Sequence, residues 1–525
     1  MSNKVEKLVQ QFAQVPGIEE TGPREGWNSP VMRRIQRRTR IIYAVMVLAG
    51  LLTAILYFSG VKIPPKLVGM AAGLIVPGGG FMASGNVVGI LAGIAVAILW
   101  WKVGFKLLDM AGAIVGVFGI WIIGILGGLM VREPVAVWQI LICVLAAAIL
   151  FGYFEYRTWK LHQSFIRTRS ENIAHLDEAL KTYDEFHEAA VQKKEAEAAA
   201  GVQRELEAEA IPAMRYIFNT TVREKGDFSP LDNGLMFDSL ATYRYQFSSL
   251  GYTLMTYQKI YAPNFHGYLT KAFDYCIDGL TDLRTCGYWR FESLCGYLKY
   301  NTDPVNDSNI MLSGWMMPPM TSYGAVSGDR RYEEDGALQF HGSKKAVHAY
   351  NVKECVELLY RQWKGEVRKF PGYLIPCEPN VAFPICNSYG LLGLLIYDRD
   401  HGTTYSEEVL PDFYKHLTED FTEINGVSAP RRQYLFGLRF MPDTQLMDIP
   451  FNDATIAMEY APIFPGLAKR GYAMLRQNVL ELNDEGVAFI KGIPWEAFSD
   501  IGTKAKNPAS MISLMEMVAA EHGDY

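Results

Sequence analysis

The sequence lacks an excess of charge of either sign. Its 50 lysines and arginines stand against 56 aspartates and glutamates, which gives a formal net charge of −6 over 525 residues. A protein that binds nucleic acid through phosphate contacts usually carries a strongly basic surface. We therefore expect no nucleic acid among the partners of this protein.

Motifs for metals, phosphates and sugars are also missing. The seven cysteines show no Cys-x-x-Cys spacing, and no Gly-Lys-Ser/Thr follows the glycines of Pro77–Gly80. These absences argue against a zinc framework and against a phosphate-binding loop. No paired-carboxylate motif of the glycoside hydrolase type can be placed. His341 and His348 are seven residues apart and could share a helix face, but a solvated polar face is the commoner case. We predict no metal site and no cofactor.

Hydrophobic residues are abundant, but they concentrate between residues 41 and 156. Four segments there approach the ~20 apolar residues that the hydrocarbon core of a bilayer requires. A further stretch, Lys66–Ser84, has a glycine cluster at its centre, which favours a re-entrant or interfacial segment over a fifth span. The four predicted spans are Ile41–Gly60, Gly85–Trp101, Leu107–Met130 and Ala136–Tyr156.

Basic residues flank the apolar region at both ends. Because positive charge is enriched on the cytoplasmic side, both ends should face the cytoplasm, which requires an even number of spans. The first 40 residues are too long and polar for an ordinary cleaved signal peptide. We predict a multi-pass protein of the cytoplasmic (inner) membrane with its C-terminal domain in the cytoplasm. The flanking residues are Arg33, Arg34, Arg37, Arg38, Arg40, Arg157, Lys160, Arg167 and Arg169.

The chain divides into four predicted parts. Residues 1–40 form a cytoplasmic segment, residues 41–156 the membrane region, and residues 157–210 a helical stalk or linker rich in Ala, Glu and Lys. From residue 211 to residue 525, helical stripes such as Val352–Trp363 alternate with turn-rich stretches, and alternating strand patterns are almost absent. This pattern predicts an all-α C-terminal domain.

Two cysteines nine residues apart mark the most distinctive stretch of that domain. Glu378 follows Cys377, Asn387 follows Cys386, and two prolines lie between the cysteines. Proline removes a backbone donor and restricts the preceding residue, so we expect an extended loop that aims both sulfurs at one cavity. The alternative is a pair of buried structural cysteines, which free cysteines commonly are. The cysteines predicted to be structural are Cys276, Cys286, Cys295 and Cys355.

Several blocks resemble the linalool dehydratase-isomerase family. That family has Cys-Glu-Pro, six residues, Cys-Asn, then a helix ending in Tyr-Asp-Arg and a His-Gly-Thr-x-Tyr turn. The resemblance covers roughly residues 210–480, and its weakest block centres on Tyr245. The matching blocks are Cys377–Pro379, Cys386–Asn387, Tyr397–Arg399, His401–Tyr405, Asn309–Met311 and Gly328–Glu333.

The resemblance implies an (α/α)6 barrel and a homo-oligomer, possibly a pentamer. It also implies an allylic alcohol of the linalool or geraniol type, which undergoes 1,3-migration of its hydroxyl or loses water without a cofactor. In an apolar pocket the two thiols stay neutral, so Cys377 and Cys386 are the predicted acid/base pair; attack of one thiol on carbon is the alternative. Glu378 and Tyr245 are predicted to bind the hydroxyl or tune the thiols. The predicted substrate-binding residues are Met311, Trp315, Phe383 and Asn387.

The chain departs from the family at three places. A pocket histidine of the family aligns with Trp315, and an aspartate aligns loosely with Phe218. The more hydrophobic Trp315 favours hydroxyl migration over full water removal. A disulfide of a periplasmic member has one partner position filled here, near Cys286, which fits a reducing compartment. An alternative function is a non-catalytic or carbohydrate-acting α-barrel that binds a glycan in an aromatic groove.

Overall fold

The computed structural model describes residues 3–22, 29–201, 205–231, 242–306, 308–437, 448–482, 488–490 and 509–524. Helices dominate this part of the chain, and apolar helices occupy its N-terminal third. The prediction of a mainly helical protein with apolar N-terminal helices is therefore confirmed. In the described part of the chain three small antiparallel sheets accompany the helices, so the protein is mostly rather than exclusively helical.

The N-terminal helices begin and end at residues that the sequence marks. In α2, Pro30 takes the first helical position and the hydroxyl of Ser29 accepts a hydrogen bond from the Met32 amide at 3.2 Å. A π-helical turn, Trp100–Gly104, joins α5 to α6, and a 3-10 turn, Gly127–Met130, extends α7. The helices are α1 (Asn3–Gln11), α2 (Pro30–Phe58), α3 (Pro65–Ile75), α4 (Gly79–Met82), α5 (Val87–Leu99), α6 (Phe105–Ala111), α7 (Ile114–Leu126) and α8 (Val137–Ala199).

Three helical stretches are long and apolar enough to cross a membrane. They are Pro30–Phe58, Val87–Leu108 and Val137–Ala199, and this is a statement about length and composition only. The predicted third span, Leu107–Met130, is not one continuous helix. Gly112 takes a left-handed conformation (φ +57°) that ends α6 and separates it from α7. The remaining apolar helix, Ile114–Met130, is correspondingly shorter.

The glycine cluster interrupts the helix between α3 and α4 as expected. Gly78 has φ +88°, a conformation that glycine adopts without a steric penalty. A Cβ at Gly78 would lie 2.1 Å from the carbonyl oxygen of Gly93. The cluster therefore gives both the turn and a close approach to α5.

Helix α8 runs without a break for 63 residues. It therefore includes both the predicted fourth span and most of the predicted stalk. Ala179 and Tyr183 of its C-terminal half are buried in a cluster with Ala454 and Tyr472. This half of α8 thus lies against the C-terminal helices rather than extending as an isolated spacer.

The helices of the C-terminal part pack in neighbouring pairs, among them α10 with α11, α15 with α17, and α19 with α20. Helix α16 has the predicted bounds, because the side chains of Asn351 and Glu354 cap each other's backbone amides at 2.8 and 2.9 Å. The helices are α9 (Ile211–Thr221), α10 (Thr242–Tyr261), α11 (Thr270–Thr281), α12 (Leu283–Cys286), α13 (Trp289–Tyr297), α14 (Ile310–Ser313), α15 (Met317–Ser327), α16 (Val352–Trp363), α17 (Pro384–His401), α18 (Tyr405–Asp420), α19 (Asp448–Glu459), α20 (Pro465–Val479) and α21 (Ala509–His522).

Short strands also form in the C-terminal part, and one of them alternates buried Leu338 and Phe340 with exposed Gln339 and His341. His341 and His348, which the sequence would have allowed on one helix face, lie on the two strands of a hairpin, where His341 is exposed and His348 is half-buried. Of the other two sheets, one contains Cys377 and the other begins directly after α20. The strands are β1 (Leu338–Ser343), β2 (Ala346–Tyr350), β3 (Pro376–Glu378), β4 (Val381–Ala382), β5 (Arg432–Gln433), β6 (Leu480–Leu482) and β7 (Ala488–Ile490).

The N-terminal segment belongs to the core of the C-terminal part. The ring of Phe12 stacks on Tyr414 with centroids 4.6 Å apart and meets Phe464 edge-on at 5.0 Å. The buried Arg470 donates a hydrogen bond from Nη1 to Thr21 Oγ1 at 2.8 Å. Residues before the apolar helices thus complete a core that is formed mainly by residues after them.

The apolar helices also contact the strand that lines the cysteine region. Phe436, just after β5, packs against Phe105 and Phe118 at centroid distances of 6.0 and 5.9 Å. Arg38 of α2 donates a hydrogen bond to the carbonyl oxygen of Leu435 at 2.6 Å. These contacts place the ends of α2, α6 and α7 beside the sheet β3–β4–β5.

Candidate functional site

The two cysteines of the distinctive stretch lie together. Cys377 is on β3, Cys386 is in the first turn of α17, and their sulfurs are 2.9 Å apart. Both residues are buried, at 2% and 3% exposure. The prediction of an extended loop is correct as far as Phe383. It is wrong from Pro384, where α17 begins, because proline is readily accommodated at the first position of a helix.

The side chain of Asn387 ties β3 to the start of α17. Its Oδ1 accepts a hydrogen bond from the Ile375 amide at 2.9 Å, and its Nδ2 donates to the carbonyls of Ile375 and Phe383 at 3.0 and 2.8 Å. Both amide hydrogens are therefore engaged by the backbone. Asn387 holds the strand and the helix, and hence the two sulfurs, in register.

Aromatic rings border the thiol pair. Trp315 donates from Nε1 to the sulfur of Cys386 at 3.4 Å, at the position where the family resemblance implies a histidine. Its ring stacks on Tyr389 at 4.0 Å and meets Tyr245 edge-on at 4.6 Å. The hydroxyl of Ser248 donates to the backbone carbonyl of Trp315. The structure thus brings Cys386, Trp315 and Tyr245 together as a thiol with an aromatic wall.

Arg244 is a buried charge that the sequence reasoning missed. Its guanidinium lies 4.1 Å from the ring centroid of Tyr288 and 5.1 Å from that of Tyr245. Its Nη2 is 2.7 Å from the sulfur of Met311, so Met311 packs on this charge. Arg244 directly precedes Tyr245 in the weakest of the matching blocks, and that position was the only signal for it.

Two half-buried glutamates accompany this charge, and the Oε2 atom of each is buried. Burial raises the pKa of Glu378 to about 7 and the pKa of Glu292 to about 8, while the positive charge of Arg244 acts in the opposite direction on both. Within the described part of the chain, the Oε2 atoms of Glu292 and Glu378 have no hydrogen-bond partner. Groups with such pKa values can give and take protons near neutral pH. Glu292 lies on α13, and no sequence pattern pointed to it.

The thiol of Cys377 and the phenol of Tyr245 both have pKa values shifted in favour of the neutral form. Burial raises the pKa of Cys377 well above its usual value, and the hydrogen bond with Cys386 and the charge of Glu378 raise it further. Burial likewise raises the pKa of Tyr245, although Arg244 opposes this. The expectation that an apolar pocket keeps a thiol protonated therefore agrees with the direction found for Cys377.

The other singled-out residues lie outside this arrangement or at its edge. Phe383 precedes α17, and the guanidinium of Arg431 lies 6.0 Å from its ring centroid. Phe218 packs edge-on against Tyr257 at 5.4 Å. All seven cysteines are free, and Cys286 donates to the carbonyl of Leu280 at 3.2 Å.

One cluster outside the site has the side chains of a metal site. The ligand atoms of Glu333, Asp400 and His401 lie within 4.8 Å of one another. However, Arg330 donates to Glu333 at 2.7 Å and contacts both oxygens of Asp400. A guanidinium therefore already occupies the place of a cation, and the cluster is an ion-pair network between α15 and α17.

The sequence model of the family described as linalool dehydratase/isomerase matches residues 244–525, which is more than half of the chain. The matched region begins at Arg244 and contains Glu292, Trp315 and both site cysteines. It begins after the apolar helices.

Proposed function

This chain belongs to the linalool dehydratase/isomerase family, and from that premise we propose that it is a membrane-anchored enzyme acting on allylic terpenoid alcohols of the linalool and geraniol type. It moves the hydroxyl group between the two ends of the allyl unit, eliminates it as water, or does both, without a cofactor. The observation that carries the proposal is the 2.9 Å approach of the Cys377 and Cys386 sulfurs beside a wall of aromatic rings.

In the proposed reaction the thiol pair moves one proton. A neutral thiol transfers its proton to the allylic hydroxyl, the C–O bond breaks, and water leaves with the bonding electrons. For isomerisation, water adds to the other end of the allyl cation and returns a proton to the thiolate. For dehydration, a base takes a proton from the adjacent carbon, a second C=C bond forms, and water departs. General acid–base catalysis of this kind contributes ~10²–10⁴-fold.

The neighbouring acids assist the thiol pair. Tyr245 hydrogen-bonds the substrate hydroxyl, since its phenol is neutral and lies close enough to both cysteines for their charges to affect its pKa. Glu378, with a pKa of about 7, replaces a proton on Cys377 or removes one from it. Arg244 contacts both Tyr245 and Met311 and holds them in position. Its positive charge also balances the negative charge of Glu378.

The rings stabilise the cationic intermediate. Ring faces attract positive charge by about 0.5–2 kcal/mol each, more when water is excluded. Tyr245, Trp315 and Tyr389 form a continuous set of contacting rings next to the thiols. Phe383 and Met311 complete the apolar lining, whereas Asn387 acts on the substrate only through the loop that it holds.

The replacement of the family's histidine favours isomerisation. An indole N–H donates a hydrogen bond but accepts no proton, unlike an imidazole. Trp315 supports Cys386 through that single donor at 3.4 Å and provides no additional base for water removal. We propose that hydroxyl migration dominates over dehydration in this chain.

We also propose the arrangement of the protein at the membrane. Four spans, formed by α2, by α5 with α6, by α7 and by the first part of α8, leave both termini and the C-terminal barrel in the cytoplasm. Apolar side chains on these helices face outward, as a lipid environment requires. Arg40 and Glu155 form an ion pair at 2.8 Å between the charged ends of α2 and α8.

We further propose the finer architecture that the family resemblance implies. The paired helices α10–α11, α15–α17 and α19–α20 are consistent with an (α/α)6 barrel over residues 211–525. We propose that barrels of several chains assemble into a homo-oligomer, possibly a pentamer. The mass of the detergent-solubilised particle tests this, and a monomer at micromolar concentration would argue against it.

The proposed activity has a direct test. Membranes that contain the full chain are incubated without oxygen with linalool, geraniol and shorter prenyl alcohols, and the volatile products are analysed. The expected result is interconversion of a tertiary and a primary allylic alcohol, with less diene. Membranes carrying Cys377→Ala together with Cys386→Ala are the control. Absence of turnover on every allylic alcohol, with the protein present and folded, would refute the proposal.

A further inference from the structure

The break between α6 and α7 lies directly on the cysteine region. Gly112, which ends α6, packs against the backbone of Pro379, and Pro379 immediately follows Glu378. On the other side, Gly296 of α13 packs against the ring of the same proline. A turn of the apolar N-terminal region and a helix of the C-terminal part thus hold one residue between them.

Only glycine fits the position of residue 112. Its φ of +57° is a conformation that side-chain-bearing residues seldom adopt. A Cβ there would lie 1.9 Å from the carbonyl oxygen of Pro379 and 2.6 Å from its carbonyl carbon, whereas ordinary contacts begin at 3.4 Å. Both atoms of Pro379 are backbone, so they cannot rotate away as a flexible side chain does.

The turn at Pro379 has little freedom to adjust. Asn380, the next residue, has a positive φ of +66°. Its side chain donates to the carbonyl of Gly296 at 3.2 Å, and its own carbonyl accepts from the Tyr434 amide at 2.7 Å. Any displacement of Pro379 is therefore transmitted along β3 to Glu378 and Cys377.

We propose that Gly112 is a positioning residue for the reaction. Through its contact with Pro379, the turn between α6 and α7 fixes Glu378 and the sulfur of Cys377 in the geometry that the chemistry needs. The inference rests on the proposed function, because the cysteine pair carries the reaction there. It extends that function by making the apolar N-terminal region a structural part of the catalytic site as well as an anchor.

The size of the effect follows from the geometry. An alanine at residue 112 requires the two backbones to separate by about 1.5 Å. A misplacement of ~1 Å in a catalytic group lowers turnover by as much as ~10²-fold. We expect Gly112→Ala to lower kcat by about 10- to 100-fold with little change in KM, because the rings that bind the substrate lie on other elements.

Two glycines provide matched controls. Gly60 also has a positive φ, of +92°, but no atom lies within 4 Å of its Cβ position. Gly60→Ala therefore introduces the same backbone strain without the contact. Gly119, within α7, has neither feature, so Gly119→Ala controls for substitution in the same helix pair. Both variants should keep normal kcat.

A second readout does not depend on turnover. Cys377 and Cys386 are buried, so a displaced β3 should expose them to a small maleimide, and peptide mass spectrometry measures their rates of labelling. We expect faster labelling of this pair in Gly112→Ala, with Cys276 and Cys355 unchanged because they report on global unfolding. If Gly112→Ala matches Gly60→Ala in both kcat and labelling, the inference is wrong.

Gly296→Ala tests the same contact from the opposite side. Its Cβ would lie 2.2 Å from Cβ of Pro379, so it should reproduce the low kcat and the faster labelling. If the Gly112→Ala protein fails to accumulate, the Gly296→Ala variant takes its place as the test. Normal kcat and normal labelling of Gly296→Ala would then overturn the inference. If the unaltered protein converts no allylic alcohol, the proposed function fails, while the labelling comparison still tests the positioning.

Discussion

Replacement of either site cysteine by alanine should separate catalysis from stability. Cys377→Ala or Cys386→Ala deletes one buried sulfur and leaves the backbone and the Asn387 hydrogen bonds intact. Loss of a group about the size of one methylene, together with the small cavity it leaves, costs roughly 1 kcal/mol of unfolding free energy. The fold should therefore survive in both variants.

The expected catalytic loss is much larger. Removal of a positioned acid or base costs ~10²–10⁴-fold in turnover, equivalent to about 3–5 kcal/mol of transition-state free energy. Each single variant should show nearly the full loss, because the two sulfurs are 2.9 Å apart and act on the same proton. The double variant should be little worse than either single one.

The assay compares kcat per folded molecule with thermal unfolding in the same detergent. Cys355→Ala is the control, since Cys355 is equally buried, at 2% exposure, but lies on α16. It should lower the unfolding temperature slightly and keep its turnover. Alkylation should inactivate the enzyme, and an allylic alcohol should protect it. If Cys377→Ala and Cys386→Ala keep near-normal turnover but unfold at lower temperature, the pair is structural and the mechanism is refuted.

Three further predictions concern other parts of the structure. Trp315→Phe keeps the stack on Tyr389 but removes the N–H donor to Cys386. We expect kcat to fall about tenfold with an unchanged KM, which is the effect of losing one hydrogen bond. An unchanged kcat would exclude this role of Trp315. Glu292 has a pKa of about 8 in the folded chain against an ordinary value of 4.5, so the folded state loses stability as pH rises from about 4.5 to about 8. Glu292→Gln should therefore flatten the unfolding temperature between pH 5 and about 8, and an unaltered pH profile would contradict this. Phe12→Ala should cost about 3 kcal/mol of unfolding free energy with turnover per folded molecule kept, and a negligible effect would show that the N-terminal segment contributes little to the core.

The sequence predicts those parts of the protein that have local patterns. The bounds of α16 follow from an apolar stripe behind a capping pair, and the proximity of Cys377 and Cys386 follows from a motif of fixed spacing. The start of α17 differs from the prediction, because Pro384, which is predicted to exclude a helix, occupies the first helical position, where proline is tolerated.

Other features depend on contacts between distant residues and leave no local pattern. Arg244 and Glu292 are a single arginine and a single glutamate in ordinary helical segments, and only packing buries Arg244 and brings its charge close enough to affect the pKa of Glu292. The break at Gly112 falls within a mainly apolar run that also contains Asp109, and the partner that demands the break lies 267 positions later at Pro379. For the same reason, the sequence does not show that Phe12 lies in the core.

The position of the N-terminal segment has a consequence for biosynthesis. Thr21 contacts Arg470, which the ribosome adds 449 residues later. At about 5–20 residues per second, the segment waits roughly 20–90 s before its binding site exists. During that interval the apolar helices leave the ribosome, while the ring of Phe12, which directly follows α1, remains uncovered. Phe12 and Thr21 are thus translated early but are among the last residues to reach their native contacts.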